Sequence, residues 1–219
     1  SSSIFLEDGE HLVAWEDNRY LSTGHPGSYT YGLSLHEGMD VHSHEQASPL
    51  SLNPYQGPHG GNYSFRAKMA KSDEAIMMNF HQYDGPYRQY LQMIDYNLNI
   101  MGNDFGMEVD SNGDDQKYSA LCSLDNNFYL AYSSLSGAYG IFLQIYDDQG
   151  QAELDAPINI VEGTFEDNLV KAIIPSPNLM NGVIIIYESA SFMGVGLNVV
   201  FVSPSGEVNT QSSVCSDCN

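Results

Sequence analysis

The sequence predicts an all-β protein, a β-propeller built of four-stranded antiparallel meander blades, and three observations carry that expectation. A short apolar stretch closing on an aromatic residue recurs four times, and its aromatics Trp15, Phe80, Tyr132 and Tyr187 stand 65, 52 and 55 residues apart. A second apolar stretch follows each of these, with Leu35, Met93, Ile145 and Phe201 spaced by 58, 52 and 56 residues. Two landmarks therefore share one period, in the range of repeat architectures. The joints are rich in Asn, Asp and Gly, which supply the positive-φ positions that hairpin turns need. Finally, Ile184-Ile185-Ile186 is continuously apolar instead of alternating, the mark of a strand covered on both faces.

The 219 residues read as one propeller domain or segment, with blades near 1–59, 60–116, 117–168 and 169–219. The first blade holds the stretches at 11–16 and 31–35, lengthened by an insertion at Gly24-His25-Pro26-Gly27 and a Gly/Pro/His-rich exit from Pro54 to Gly61. In the second, a helix competes over 66–78, because Ala67, Met69, Ala70, Glu74, Ala75, Met77 and Met78 are good helix formers. The repeat favours two strands there, since Lys71-Ser72-Asp73-Glu74 falls where Asp125-Asn126-Asn127 turns in the third blade. That third blade runs through 118–124, 128–132, 140–146 and 157–161. The fourth copies it through 170–174, 183–187 and 197–202, with a turn at Ser203-Pro204-Ser205-Gly206. Val13, Ile76, Leu130 and Ile185 are the expected buried residues of the inner strands. Four blades close a ring only tightly, and the ends Ser1-Ser2-Ser3-Ile4-Phe5-Leu6 and Cys215-Ser216-Asp217-Cys218-Asn219 look cut. The expectation is a piece of a larger propeller, or a chain that meets other chains of a larger assembly.

Charge narrows the function classes. Against 28 acidic residues stand seven basic ones, for a net charge of −21. Nucleic acid and anionic lipid both require clustered Lys and Arg, and so drop out as partners. Apolar runs reach about five residues against the ~20 that span a bilayer as a helix, so no membrane insertion is expected. At 42% hydrophobic the chain is apolar enough to fold. Strong acidity, few Lys and abundant Asn, Ser, Gly and Tyr point to an extracellular or cell-surface location. Three cysteines preclude a disulfide scaffold; Cys215 and Cys218 form a local bridge or stay idle thiols.

The segment Trp15-Glu16-Asp17-Asn18-Arg19, preceded by Asp8-Gly9 and followed by a strand and a turn of the Asp-Asp-Gln-Gly kind, resembles the blade repeat of secreted bacterial β-propellers. The likeness is to large surface proteins of the Bacteroidetes type, whose repeat carries Trp, an acidic residue, Asp, any residue and Arg. The later repeats keep an aromatic at Phe80, Tyr132 and Tyr187 without the rest of that signature. The resemblance implies the propeller fold.

Candidate site residues come from two patterns. Asp40, His42 and His44 alternate, so a strand would project all three from one face toward a single divalent metal. Chance clustering at a polar strand end accounts for them equally simply, and no other cofactor is expected. Tyr20, Tyr55, Tyr83 and Tyr87 lie in loops, where amphipathic rings serve a ligand-facing surface. Asp110 to Asp115 comes closest to a calcium loop but lacks the distal Glu, and a plain polar loop suffices. Neither a Gly-x-Ser-x-Gly elbow, a phosphate loop nor a sialidase-type Asp-box occurs. These readings converge on a non-catalytic extracellular binding or scaffolding module for a protein or glycan partner at the cell surface. The alternative is an extracellular carbohydrate-active hydrolase or lyase on the axial face, and a third reading is a structural stalk whose edge strands pair with neighbouring chains.

Overall fold

The computed structural model of the chain describes residues 2–5, 11–17, 29–35, 50–51, 64–83, 86–97, 99–102, 107–109, 115–137, 139–163, 168–176, 182–191 and 194–215. Four antiparallel sheets follow one another along it. The first sheet is β1 (Ser2–Phe5), β2 (His11–Asp17), β3 (Tyr29–Leu35) and β4 (Leu50–Ser51). The second is β5 (Ser64–Lys71), β6 (Ile76–Tyr83), β7 (Tyr87–Ile94) and β8 (Ile100–Met101), with the short β9 (Met107–Glu108) also pairing β7. The third is β10 (Gln116–Leu124), β11 (Asn127–Ser134), β12 (Gly140–Tyr146) and β13 (Ile158–Glu162). The fourth is β14 (Asn168–Ser176), β15 (Gly182–Ser191), β16 (Gly194–Val202) and β17 (Val208–Cys215). Apart from β9, strand order equals chain order in every sheet, so each is a meander, and no described residue is helical.

Turn chemistry explains where the strands stop. Between first and second strands, Ser72 Oγ accepts the amides of Glu74 (3.3 Å) and Ala75 (3.1 Å), while Asp125 and Asn126 take φ of 50° and 64°. Between third and fourth strands one device recurs. Asp95 Oδ1 accepts Asn97 N and Asn99 N at 2.9 and 2.7 Å, Asp147 Oδ1 accepts Gln149 N and Gln151 N at 2.9 and 2.7 Å, and Ser203 Oγ accepts Glu207 N at 3.0 Å. These Asx and Ser turns satisfy amides that a tight turn turns away from the ladder. The helix formers of 66–78 are overridden because Ala67, Met69 and Ala70 are buried between sheets, where packing outweighs propensity.

The core lies between sheets. Leu12 and Ala14 of the first pack with Met69, Ile76, Met78 and Phe80 of the second; Met77, Leu91 and Met93 on the second sheet's other face pack with Phe128, Leu130 and Tyr132 of the third. Tyr129, Ala131, Ile141 and Leu143 of the third then pack with Val170, Ile173, Val183, Ile185 and Tyr187 of the fourth. Ile76, Leu130 and Ile185 are buried as expected. Val13 is not: it is half-buried, on the face of β2 opposite Leu12 and Ala14, because strand residues alternate and only the latter pair turns toward the second sheet. A second difference concerns the strands expected to be innermost. Successive sheets meet chiefly along first strands, β5 with β1 and β2, β5 with β10 and β10 with β14, whereas the apolar stretches expected to be innermost, in β2, β6, β11 and β15, lie second in their sheets.

Candidate functional site

The entry into β10 gathers polar chemistry at one end of the second and third sheets. The chain bulges there, with register shifting between Lys117 and Ala120 and Tyr118 at a φ of 51°, and bulges re-aim side chains at sheet ends. Asp115, just before the strand, is fixed by four contacts. Its Oδ1 accepts Tyr87 N (2.8 Å), its Oδ2 accepts Lys117 Nζ (2.9 Å), its amide donates to Ser136 Oγ (2.6 Å) and its carbonyl accepts Leu135 N (2.8 Å). Tyr87 sits at the centre. Lys117 Nζ lies 4.3 Å from its ring centroid, within cation–π range, and His81 meets it edge-on at 5.7 Å. Arg88, the next residue of β7, projects from the opposite face of the sheet, where it holds Glu108 at 2.7 Å.

Beneath this surface runs a buried network. Ser119 Oγ donates to Asn79 Oδ1 (2.5 Å), Asn79 Nδ2 donates to Gln89 Oε1 (2.9 Å) and to the Tyr90 carbonyl (3.1 Å), and Gln89 N donates to Gln116 Oε1 (3.0 Å). Gln89 Nε2 completes the circuit to the Gln116 carbonyl (3.3 Å). All four side chains are buried, and a satisfied network of this kind holds one geometry. The surface pair above it remains reachable, Asp115 and Lys117 each keeping 28% of their side chains exposed. One ion pair beside an aromatic ring presents a donor, an acceptor and a flat apolar face within one small area.

Shifted acidities lie elsewhere and have structural causes. Burial between the third and fourth sheets pushes the Cys122 thiol up to about 12, and burial likewise raises Tyr129. Asp95 is held low by hydrogen bonds from Asn99 and Asn97 in its turn. Concavities lined by described residues include two, of which the second reaches Glu108. One is a cleft of about 410 Å³ among the turns of the opposite end, bounded by Lys71, Asp73, Tyr96, Asp125 and Pro175. The other, about 440 Å³, runs along β7 past Leu91, Met93, Met101 and Met107.

Of the candidates expected in loops, Tyr87 instead opens β7, in the polar cluster, and Tyr83 ends β6 directly opposite it, because the hairpin strands run further than the apolar stretches alone suggest. Tyr20, Tyr55, Asp40, His42 and His44 lie outside the described residues, as do Cys218 and residues 110–114. No group of three or more potential metal ligands occurs among the described residues. Sequence reasoning reaches Asp115 only as the end of a calcium-like loop and misses Lys117, Arg88 and Glu108, together with the Asn79, Gln89, Gln116 and Ser119 network. Two signals were available: Arg88 and Lys117 are two of only seven cations, and Asn79 and His81 interrupt the apolar course of β6 at alternate positions.

No protein-family model matches the chain, and no curated protein matches its sequence. Solved structures do share the fold. A neuraminidase-like protein from A/bat/Guatemala/164/2009 superposes over 99% of this chain and 58% of its own, at 12% identity and a TM-score of 0.61. A subtype N10 neuraminidase-like protein of A/little yellow-shouldered bat/Guatemala/060/2010 covers 98% of this chain and 68% of its own, at 10% identity and 0.59. A thermostable family-43 glycoside hydrolase covers 98% and 74%, at 11% identity and 0.50. The chain thus spans about three-fifths to three-quarters of the length of these structures, with which it shares an all-β, propeller-like arrangement of antiparallel sheets.

Proposed function

We propose that the four sheets are blades of a β-propeller and that the chain is a non-catalytic, extracellular or cell-surface module that binds a glycan or protein partner through the end bearing Tyr87. The observation that carries this reading is the pairing of charges there. Cleaving a glycosidic bond needs two carboxyl groups facing each other roughly 5 to 9.5 Å apart, one of them a proton donor. Asp115, the described carboxylate beside Tyr87, faces a cation instead, Lys117 at 2.9 Å. Such a pair suits recognition: hydroxyl groups take hydrogen bonds from the ammonium and give them to the carboxylate, while a sugar's apolar face covers the ring. The blade resemblance of Trp15 to Arg19 supports a secreted setting, and the net charge of −21 supports solubility there.

The hydrolase reading is favoured by one observation, the shared fold with a family-43 glycoside hydrolase. A panel of oligosaccharides and aryl glycosides, arabinofuranosides included, separates the two. The module reading expects saturable binding by calorimetry with no release of reducing sugar or aryl alcohol. Turnover that disappears on replacing a single carboxylate establishes the hydrolase.

A further inference from the structure

The second and third sheets share one device at their outer edge, and only the third fills it from its own chain. Met93 and Ile145 are equivalent in the repeat, and the residue eight positions on faces each of them: Met101 pairs Met93 across β7 and β8, and Glu153 N donates to the Ile145 carbonyl at 2.8 Å. One residue further, at equal spacing, stand Gly102 and Leu154. Leu154 packs against the core between the third and fourth sheets, and its carbonyl accepts Nε2 of the buried Gln144 at 2.9 Å. Gly102 brings no side chain, and a Cβ at its position would meet nothing within 4 Å. The place that Leu154 takes in the third sheet is, in the second, the cleft of about 440 Å³ floored by Leu91, Met93, Met101 and Met107.

Gln92, the counterpart of Gln144, lines this cleft and is likewise buried. Its Nε2 donates to the adjacent Met93 carbonyl at 3.2 Å instead of to an incoming segment, and its Oε1 has no partner among the described residues. Gln144 keeps a free Oε1 as well, so what separates the two is the leucine and its carbonyl. Buried amide groups left without partners are costly, and a ligand that brings them is held for that reason. The floor is firmly seated: a Cβ on Gly150 of the third sheet would come within 2.8 Å of Met93 Cγ.

We infer that this cleft binds a leucine residue of a peptide segment from another protein. The third sheet supplies the template, an isobutyl group against an apolar floor with a peptide carbonyl on the glutamine Nε2. A peptide also carries the N–H that Gln92 Oε1 can accept. Thioether side chains are unbranched and polarizable, so the methionine floor adapts to an aliphatic group, and the volume lies within the ~300–1,000 Å³ of small-ligand sites. Glu108 on the rim is already paired with Arg88 at 2.7 Å, which leaves the cleft selective for a neutral group. The site is separate from the Tyr87 end and does not rest on the reading given to it.

Nuclear magnetic resonance of the 219-residue chain labelled at its methionine methyl groups tests this, because Met101 and Met107 report from the cleft. N-acetyl-leucine methylamide, a leucine side chain between two peptide units, should shift those signals saturably. N-acetyl-glycine methylamide, which lacks the isobutyl group, should bind at least about tenfold more weakly. Two variants fill the cleft from within. Gly102→Leu brings the chain's own leucine, and because a φ of 80° strains any side chain there, Met107→Phe does the same from a position of ordinary backbone. In each variant that keeps its far-ultraviolet dichroism, affinity for the leucine amide should fall about tenfold or more. Absence of binding by the leucine amide, equal affinity for the two amides, or binding unaffected in the folded variants overturns the proposal. So does 3-methylbutan-1-ol binding as tightly as the leucine amide, which would assign the cleft to small alcohols.

Discussion

The two interfaces that flank the third sheet are built differently. Toward the fourth sheet it presents a broad apolar surface in which Tyr129, Ala131, Ile141, Leu143 and Ile145 meet Val170, Ile173, Val183, Ile185 and Val200. Toward the second sheet the apolar part, Phe128, Leu130 and Tyr132 against Met77, Leu91 and Met93, is continued at one end by the Asn79, Gln89, Gln116 and Ser119 network. Burial of apolar area is non-directional and tolerates small shifts, whereas a closed set of hydrogen bonds accepts one arrangement. The first interface supplies stability. The second holds the bulge at Lys117, and with it Asp115 and Tyr87, in a fixed relation to one another.

The largest expected effect comes from the apolar interface. Ile185→Ala should cost about 2–5 kcal/mol, since Ile185 is fully buried and its neighbours belong to two sheets that cannot both collapse into the cavity. Chemical denaturation followed by far-ultraviolet dichroism measures it, and a loss below about 1 kcal/mol would place the core elsewhere. In the polar interface, Asn79→Ala leaves the Ser119 hydroxyl and the Gln89 amide oxygen without their partner. The cost should be about 1–3 kcal/mol, with the polar end loosening before the rest in hydrogen exchange.

Alkali sharpens the contrast. The buried Cys122 thiol is raised from an ordinary 9.0 to about 12, so the unfolded chain loses this proton first. The contribution of Cys122 to stability is therefore complete below about pH 9 and falls as pH rises from there to about 12, by at most about 1.4 kcal/mol per pH unit. Replacing Cys122 with Ala should flatten that part of the stability curve. An unchanged curve would mean that the interface between the third and fourth sheets is wet.

Much of this arrangement is legible in the sequence, for physical reasons that differ by element. The meander is readable because its turns need particular residues: Asp147 and Asn126 mark joints whatever the strands contain. The burial of β15 is readable in part: Val183, Ile185 and Tyr187 are buried against the third sheet, whereas Ile184 and Ile186, expected to be covered as well, are half-buried on the other face. Val13 is misjudged because one-residue alternation decides which face turns inward, and the stretch 12–14 is apolar on both. The polar end escapes notice for a different reason. Asn79, Gln89, Gln116 and Ser119 belong to three strands and are up to 40 residues apart, so that their convergence is a property of sheet packing. Tyr87 is expected in a loop and lies instead at the start of β7, and Asp115, which the sequence presents only within a calcium loop, is paired with Lys117.

The smallest effect on stability is expected to coincide with the largest on recognition. Asp115→Asn removes the partner of Lys117 from a part-exposed pair, which should cost at most about 1 kcal/mol of folding stability. The most direct test of the binding account is calorimetric titration of this variant beside the unaltered chain, with whichever glycan of the panel binds. The account predicts an affinity at least about tenfold lower with denaturation midpoint nearly unchanged, and no sugar released from either protein. Equal affinity for the two proteins, or sugar released by the unaltered chain and not by the variant, would contradict it.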